Sequence, residues 1–286
     1  MSEVLTAIVI MTGLGLFFAV VLAVADHYLR VWEDPRIGKV TDLLPGNNCG
    51  ACGQPGCAAF SERVVAGEIE PGKCTVADGG TLEEIANFLG VDVGGGEQIV
   101  ARLQCGGGKG RVRNLAAYQG MDSCRAAAIV DGGGQACSWG CLGLSDCAVA
   151  CTFKAIHMNE RALPVVTPDL CTACGDCVEA CPKGLFVLQP ISQTVIVQCS
   201  APLEGDDARA MCSAACDACG RCAADAPGDT IMMKGGLPII DWEQEERPGQ
   251  EVTWRCPTGA IQWVDGAQFR EDVEDNWEDE AWRLRA

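Results

Sequence analysis

Histidine, aromatic residues and positive charge are all scarce in this chain. His27 and His157, the two histidines in 286 residues, are too few and too scattered for a general-base site. An aromatic share of 6% is low for large apolar cores. A chain of this length therefore reads as several small modules organised round something other than a core. Twenty-one Lys and Arg against 39 Asp and Glu leave a formal charge of −18. That balance excludes nucleic acid as a partner, because phosphate binding needs a basic face. Phosphate fingerprints are missing as well. The glycine runs at 94, 106 and 132 do not spell the dinucleotide pattern, so no NAD site is expected in this chain. The segment GEIEPGKC, 67–74, ends in cysteine where a P-loop needs Ser or Thr, and Glu68 and Glu70 would repel phosphate.

Charge is also absent from Val4 to Ala25, an apolar run that matches the ~20 residues a helix needs to cross a bilayer. With Glu3 as the one charge before the run, there is no basic region of the kind that precedes a cleaved signal. The run is read as a single transmembrane helix. It carries no ionisable residue that could relay an ion, so this chain alone is no pump. Arg30, Arg36 and Lys39 follow it, with Tyr28 and Trp32 where interfacial aromatics would anchor, and His27 is expected at the membrane surface. The positive-inside rule then places the bulk of the chain on the cytoplasmic side of the cell inner membrane.

Twenty cysteines are the abundant feature. In a reducing compartment they argue for thiolate ligation of metal rather than disulfides. The run CTACGDCVEACP sets Cys171, Cys174, Cys177 and Cys181 at C-x2-C-x2-C-x3-C with Pro182 after it, the bacterial ferredoxin run. Three near thiols suit one corner of a [4Fe–4S] cubane, and the fourth ligates a neighbouring cluster; a third near thiol is awkward for zinc. CSWGCLGLSDCAVAC supplies a stretched partner run, Cys137, Cys141, Cys147 and Cys151, with Thr152 in place of the proline. By crossover, Cys137, Cys141, Cys147 and Cys181 are expected to hold one cluster, and Cys151, Cys171, Cys174 and Cys177 another. A third run places Cys216, Cys219 and Cys222, but Ala226 stands at its fourth position, so Cys256 of RCPTGAI is expected to complete that site. Cys49, Cys52, Cys57 and Cys74 form an N-terminal set whose glycines let the backbone approach an inorganic core, although spacing alone also admits a zinc knuckle.

Cys105, Cys124, Cys199 and Cys212 are left over. They fall as two similar pairs, with Cys105 and Cys199 ending the matched segments VARLQC and TVIVQC. The body therefore reads as duplicated. The four thiols are either a fifth cluster site or separate buried cysteines. Lys109, Arg111 and Arg113 make the compact basic patch, read as a solvated loop or as a dock for an acidic redox partner. Thr81 and Glu84 read as a capping box for a short helix that Gly90 stops. EDVEDNWEDE, 271–280, reads as a solvated acidic end, with Trp277 and Trp282 as docking points.

The segment LLPGNNCGACGQPGCAAF, together with the single N-terminal span, CRAAAIV, CLGLSDC and CTACGDCVEACPKGL in that order, resembles the B subunits of Rnf electron-transport complexes in their longer, anaerobe-type form. The four-cysteine segment is also similar to one in corrinoid iron–sulfur proteins, which argues against zinc. The resemblance implies an electron-relay subunit of a membrane-bound, ion-translocating ferredoxin:NAD oxidoreductase. Its partners would be soluble ferredoxin as donor and the other subunits of the complex. Its cofactors would be at least four [4Fe–4S] clusters, with five if the leftover thiols form a site. The competing readings are a cluster-containing reductase that keeps a redox-sensing regulator reduced, and a structural zinc scaffold. The fold expected is α+β. It comprises a transmembrane helix over 1–26, a linker over 27–40, a four-cysteine domain over 41–92 and a connecting segment over 93–134. A two-cluster ferredoxin-like module over 135–190, a degenerate second module over 191–264 and an acidic tail over 265–286 follow.

Overall fold

The computed structural model describes residues 2–29, 34–95 and 97–269. Arg30, Trp32 and the acidic end from 271 onward lie outside the described residues. Helix α1 (Ser2–Leu29) holds a stretch, Leu5–Tyr28, of mean hydropathy 2.7, none of it buried against the rest of the chain. It is the one helix among the described residues long and apolar enough to cross a membrane.

Helix α2 (Pro35–Leu43) starts where proline pre-sets φ at the first position and the Asp34 side chain accepts from the Arg36 N–H at 2.9 Å. Val40 on this helix is fully buried with Phe60 and Val64 of α3 (Cys57–Val65) and Ile85 of α4 (Gly79–Leu89). The expected linker thus gives way from Pro35 to a helix that belongs to the four-cysteine unit. Helix α4 also begins earlier than a capping box at Thr81 and Glu84 requires: Asp78 is the N-cap, and Thr81 Oγ1 donates to its carboxylate at 2.6 Å. Gly90, with φ of 69°, ends it in the left-handed conformation that glycine adopts without penalty.

The body repeats one pattern twice. In the first unit β1 (Ile99–Leu103) pairs antiparallel with β4 (Phe186–Pro190), Leu103 facing Phe186. Between them run α5 (Cys124–Ile129), α6 (Asp146–Ala150), the hairpin β2 (Ile156–Met158) with β3 (Pro164–Val166), and α7 (Asp176–Ala180). In the second unit β5 (Val195–Val197) pairs with β8 (Ile261–Trp263). They enclose α8 (Gly205–Met211), α9 (Arg221–Asp225), the hairpin β6 (Ile231–Lys234) with β7 (Leu237–Ile240), and α10 (Glu251–Trp254). The matched segments VARLQC and TVIVQC supply the opening strands of the two units. The five-residue helices α6, α7 and α9 each follow a left-handed residue, Ser145, Gly175 or Gly220, so the same turn delivers the third cysteine of each run.

Two boundaries move as a result. Because β1 pairs with β4, the first unit opens at Ile99, and the expected connecting segment is an insertion within it rather than a link before it. Residues up to 269 also fold back on β1. The Gln268 side chain accepts from the Leu103 N–H at 3.0 Å and donates to its carbonyl at 2.8 Å, so the tail does not begin at 265.

Phe60 is 1% exposed and fills the small core of the four-cysteine unit. Truncating it, Phe60→Ala, should destabilise that unit by about 3–5 kcal/mol. Anaerobic urea denaturation of the full chain measures this, and a loss below about 1 kcal/mol would show that the packing described is not what holds the helices.

Candidate iron–sulfur cluster sites

All twenty cysteines are free thiols, and most of them line four hollows. Cys49, Cys52, Cys57 and Cys74 ring a hollow of about 350 Å³, open space included, floored by Leu44 and Phe60. The Asn48 side chain accepts from the Cys57 N–H at 2.8 Å and pins the loop over the start of α3. Cys216, Cys219, Cys222 and Cys256 ring a similar hollow of about 320 Å³ in the second unit. Beside Cys216, burial opposes ionisation of Asp217, but hydrogen bonds from Arg209 outweigh it and hold the carboxyl below its ordinary range.

In the first unit Cys177 feels Cys171 and Cys174 most strongly, then Cys147 and Cys151, while Cys124, Cys141, Cys147 and Cys181 line a hollow of about 360 Å³. Cys105, Cys137, Cys199 and Cys212 line another, of about 370 Å³, where the two units meet, and Cys141 borders both hollows. In these linings Cys124 and Cys137 stand in each other's expected places. The insertion explains why. Asn114 and Gln135 form an antiparallel bridge, and the Ala136 N–H donates to the Arg113 carbonyl at 2.8 Å, which carries Cys137 to the strand-like segment at Val112 and Cys212. Asp146 at the start of α6 accepts from Ser123 Oγ at 3.0 Å and from the Arg125 N–H at 3.1 Å, which draws Cys124 to Cys147. The basic patch of Lys109, Arg111 and Arg113 lies on the same segment, and the Arg113 N–H donates to the Met211 carbonyl beside Cys212.

The quartets follow one another in a single file. Thr75, next to Cys74, donates to the carbonyl of Thr172, next to Cys171, at 2.8 Å. Cys177 is electrostatically coupled to Cys147 of the next quartet. The Cys141 N–H lies 3.3 Å from Cys105 Sγ of the one after that. Cys199 of that quartet is in turn coupled to Cys216 of the last.

What these rings can hold follows from their size and donors. Among the described residues no three His, Cys, Asp or Glu side chains close on a single-ion position. The thiols stand round hollows instead, as a polynuclear core requires. At the central ring the Gly107 backbone lies beside the sulfurs: a Cβ there would make ordinary contact with Cys212 Sγ at 3.4 Å and Cys105 Sγ at 3.6 Å. Gln198 is 2% exposed and lines the same hollow, and its Nε2 has no partner. An inorganic sulfide would accept that bond. Burial raises the thiols, to about 12 at Cys147, Cys177, Cys212 and Cys216 and to about 11 at Cys222, so burial by itself disfavours the thiolates. Bound cations are what stabilise the thiolates, and assembly therefore releases protons.

The FeS family model, for an Fe–S cluster, matches residues 44–76, and the 4Fe-4S binding domain model matches residues 163–186. The B subunit of a Na(+)-translocating ferredoxin:NAD(+) oxidoreductase complex from Acetobacterium woodii is 38% identical over 91% of this chain and 78% of its own length. The B subunit of an ion-translocating oxidoreductase complex from Methanosarcina acetivorans is 35% identical over 91% of this chain and 98% of its own. The chain belongs to the family of B subunits of the ion-translocating (Rnf) oxidoreductase complexes. Within that family it is of the longer form, since the B subunit from Klebsiella pneumoniae matches 59% of it. As an Rnf B-type chain it is an iron–sulfur electron-transfer subunit of an oxidoreductase complex.

Gln198 and Arg102 escaped the reading of the sequence. Both adjoin or precede a cysteine in the matched VARLQC and TVIVQC segments, and a charged residue in an alternating strand that is buried on both faces was the available signal.

The exchange of Cys124 and Cys137 separates two patterns of loss. Cys137→Ser should disturb the same cluster signal as Cys199→Ser, and Cys124→Ser the same signal as Cys181→Ser, in reduced-state EPR of anaerobic protein. Pairing of Cys137 with Cys181 instead would restore the grouping read from spacing.

Proposed function

We propose that this chain takes electrons from reduced ferredoxin and relays them, through five [4Fe–4S] clusters, to other subunits of a membrane-bound ferredoxin:NAD oxidoreductase that moves ions. The single file of thiol quartets is the observation that carries the reading. Bound clusters would supply one-electron transfer. The chain's own part is to hold them: Cys49, Cys52, Cys57 and Cys74 at the membrane-proximal end, then Cys151, Cys171, Cys174 and Cys177, then Cys124, Cys141, Cys147 and Cys181. Cys105, Cys137, Cys199 and Cys212 follow, and Cys216, Cys219, Cys222 and Cys256 end the file. The surrounding apolar side chains exclude water, and no side chain is assigned acid–base or nucleophilic work. NAD would bind elsewhere in the complex. Helix α1 anchors the chain, and Arg36 and Lys39 just after it favour a cytoplasmic body.

Four irons for each of five quartets give about twenty irons per chain in anaerobically prepared protein. Replacing Cys105 and Cys199 together with Ser should remove about four of them. Stoichiometric zinc with little iron would overturn the assignment, and unaltered iron in the folded double variant would remove the central site.

Lys109 and Arg113 are exposed, on a segment that borders the central quartet of a chain of charge −18. Charge complementarity makes this segment, with Arg111, the dock for an acidic ferredoxin. Changing all three residues to Glu should slow ferredoxin oxidation most at low ionic strength. An unchanged rate and salt dependence would place the donor elsewhere.

A further inference from the structure

Arg102 is a buried cation without a counter-charge. It sits in β1 with no exposed surface, yet no carboxylate pairs with it among the described residues. Its Nη1 donates to the Gly266 carbonyl at 2.6 Å, whereas Nε and Nη2 have no partner. An arginine does not shed its proton in such a place, so the charge itself must be accommodated. Burying an unpaired charge is strongly unfavourable unless an opposite one lies near.

The surroundings indicate where the opposite charge arises. Just before β1, and at the same alternation as Arg102, the Gln98 side chain donates to the Pro168 carbonyl at 2.9 Å. Pro168 opens the turn that leads into Cys171. Arg102 is electrostatically coupled to that cysteine. Next to it, Thr172 is buried and its side chain hydrogen-bonds Cys174 of the same run.

We infer that Arg102 is the built-in counter-ion of the cluster held by Cys151, Cys171, Cys174 and Cys177, and that its charge raises the reduction potential of that cluster relative to a neutral side chain. The inference rests on those four cysteines being cluster ligands. Reduction adds an electron to a site that is already anionic, and a fixed cation in a low-dielectric setting stabilises the more negative state. Arg102 touches neither substrate nor the reacting partner, so it is a positioning and tuning residue.

The test is an EPR-monitored redox titration of the anaerobic full-length chain, with iron and sulfide counted in each variant. Arg102→Gln removes the charge and keeps a donor for the Gly266 carbonyl, and Arg102→Lys keeps a charge. Expected for Arg102→Gln is wild-type iron and a fall of about tenfold in the reduced-to-oxidised ratio of one cluster at fixed potential, which is about 59 mV for one electron. Arg102→Lys should titrate close to wild type. Loss of one cluster's iron in Arg102→Gln but not in Arg102→Lys would equally show that the charge is required. The inference is overturned if Arg102→Gln retains its iron and titrates as wild type, if Arg102→Lys falls as far as Arg102→Gln, or if both variants lose iron alike. Cys174→Ser tests the ligand assignment separately. It should abolish the signal that Arg102 shifts, and a shift that persists in that background would show that Arg102 acts on another cluster.

Discussion

Thiol rings round an inorganic core are the constraint from which the rest of this structure follows. Helices of four or five residues and strands of three are too short to persist on their own, because helix nucleation is unfavourable and a lone hairpin is marginal. The apolar clusters that pack against them are small, and cysteines make up part of each. Ligation converts the free energy of metal binding into folding free energy, so a chain with few aromatics can still specify a unique body. The same rings fix the turns. Ser145, Gly175 and Gly220 take the left-handed conformation at equivalent points, each just ahead of the helix that carries the third thiol of its run.

Duplication gives the body its second property. Each unit closes its outer strands, β1 with β4 and β5 with β8, and leaves the second residue beyond its opening strand at the junction between units. Cys105 and Cys199 occupy those two positions, and the Gly106 N–H donates to the Gln198 carbonyl at 2.8 Å between them. The central ring therefore draws on both units, and the hollow it encloses is part of the contact that joins them. Arg102 lies on the first of the two opening strands and Gln198 just beyond the second.

Much of this was legible in the sequence because thiol spacing is local. C-x2-C-x2-C runs announce themselves, and so does an uncharged run of bilayer length. The α+β, ferredoxin-like class followed from the same motifs. What could not be read was decided by contacts distant in sequence. Cys124 and Cys137 lie in one insertion, and their destinations depend on a strand bridge between Asn114 and Gln135 and on the carboxylate of Asp146. Neither leaves a spacing signature. Pro35–Leu43 passed for a linker because its mean hydropathy is unremarkable, although Asp34 and Pro35 together spell a helix start. The start of α4 was displaced because Asp78, rather than Thr81, stands at its N-cap.

The order of the quartets along the chain has a further consequence for biogenesis. The N-terminal ring is complete once Cys74 has been made, and the rings of the first unit close with Cys177 and Cys181. The central ring waits for Cys212, and the last for Cys256. Chains fold from the N-terminus as they are synthesised. Cys105 and Cys137 therefore wait for Cys199 and Cys212 of the second unit, which line the same hollow. Cluster delivery to such a chain is vectorial, and the ring that unites the two units is among the last to be filled.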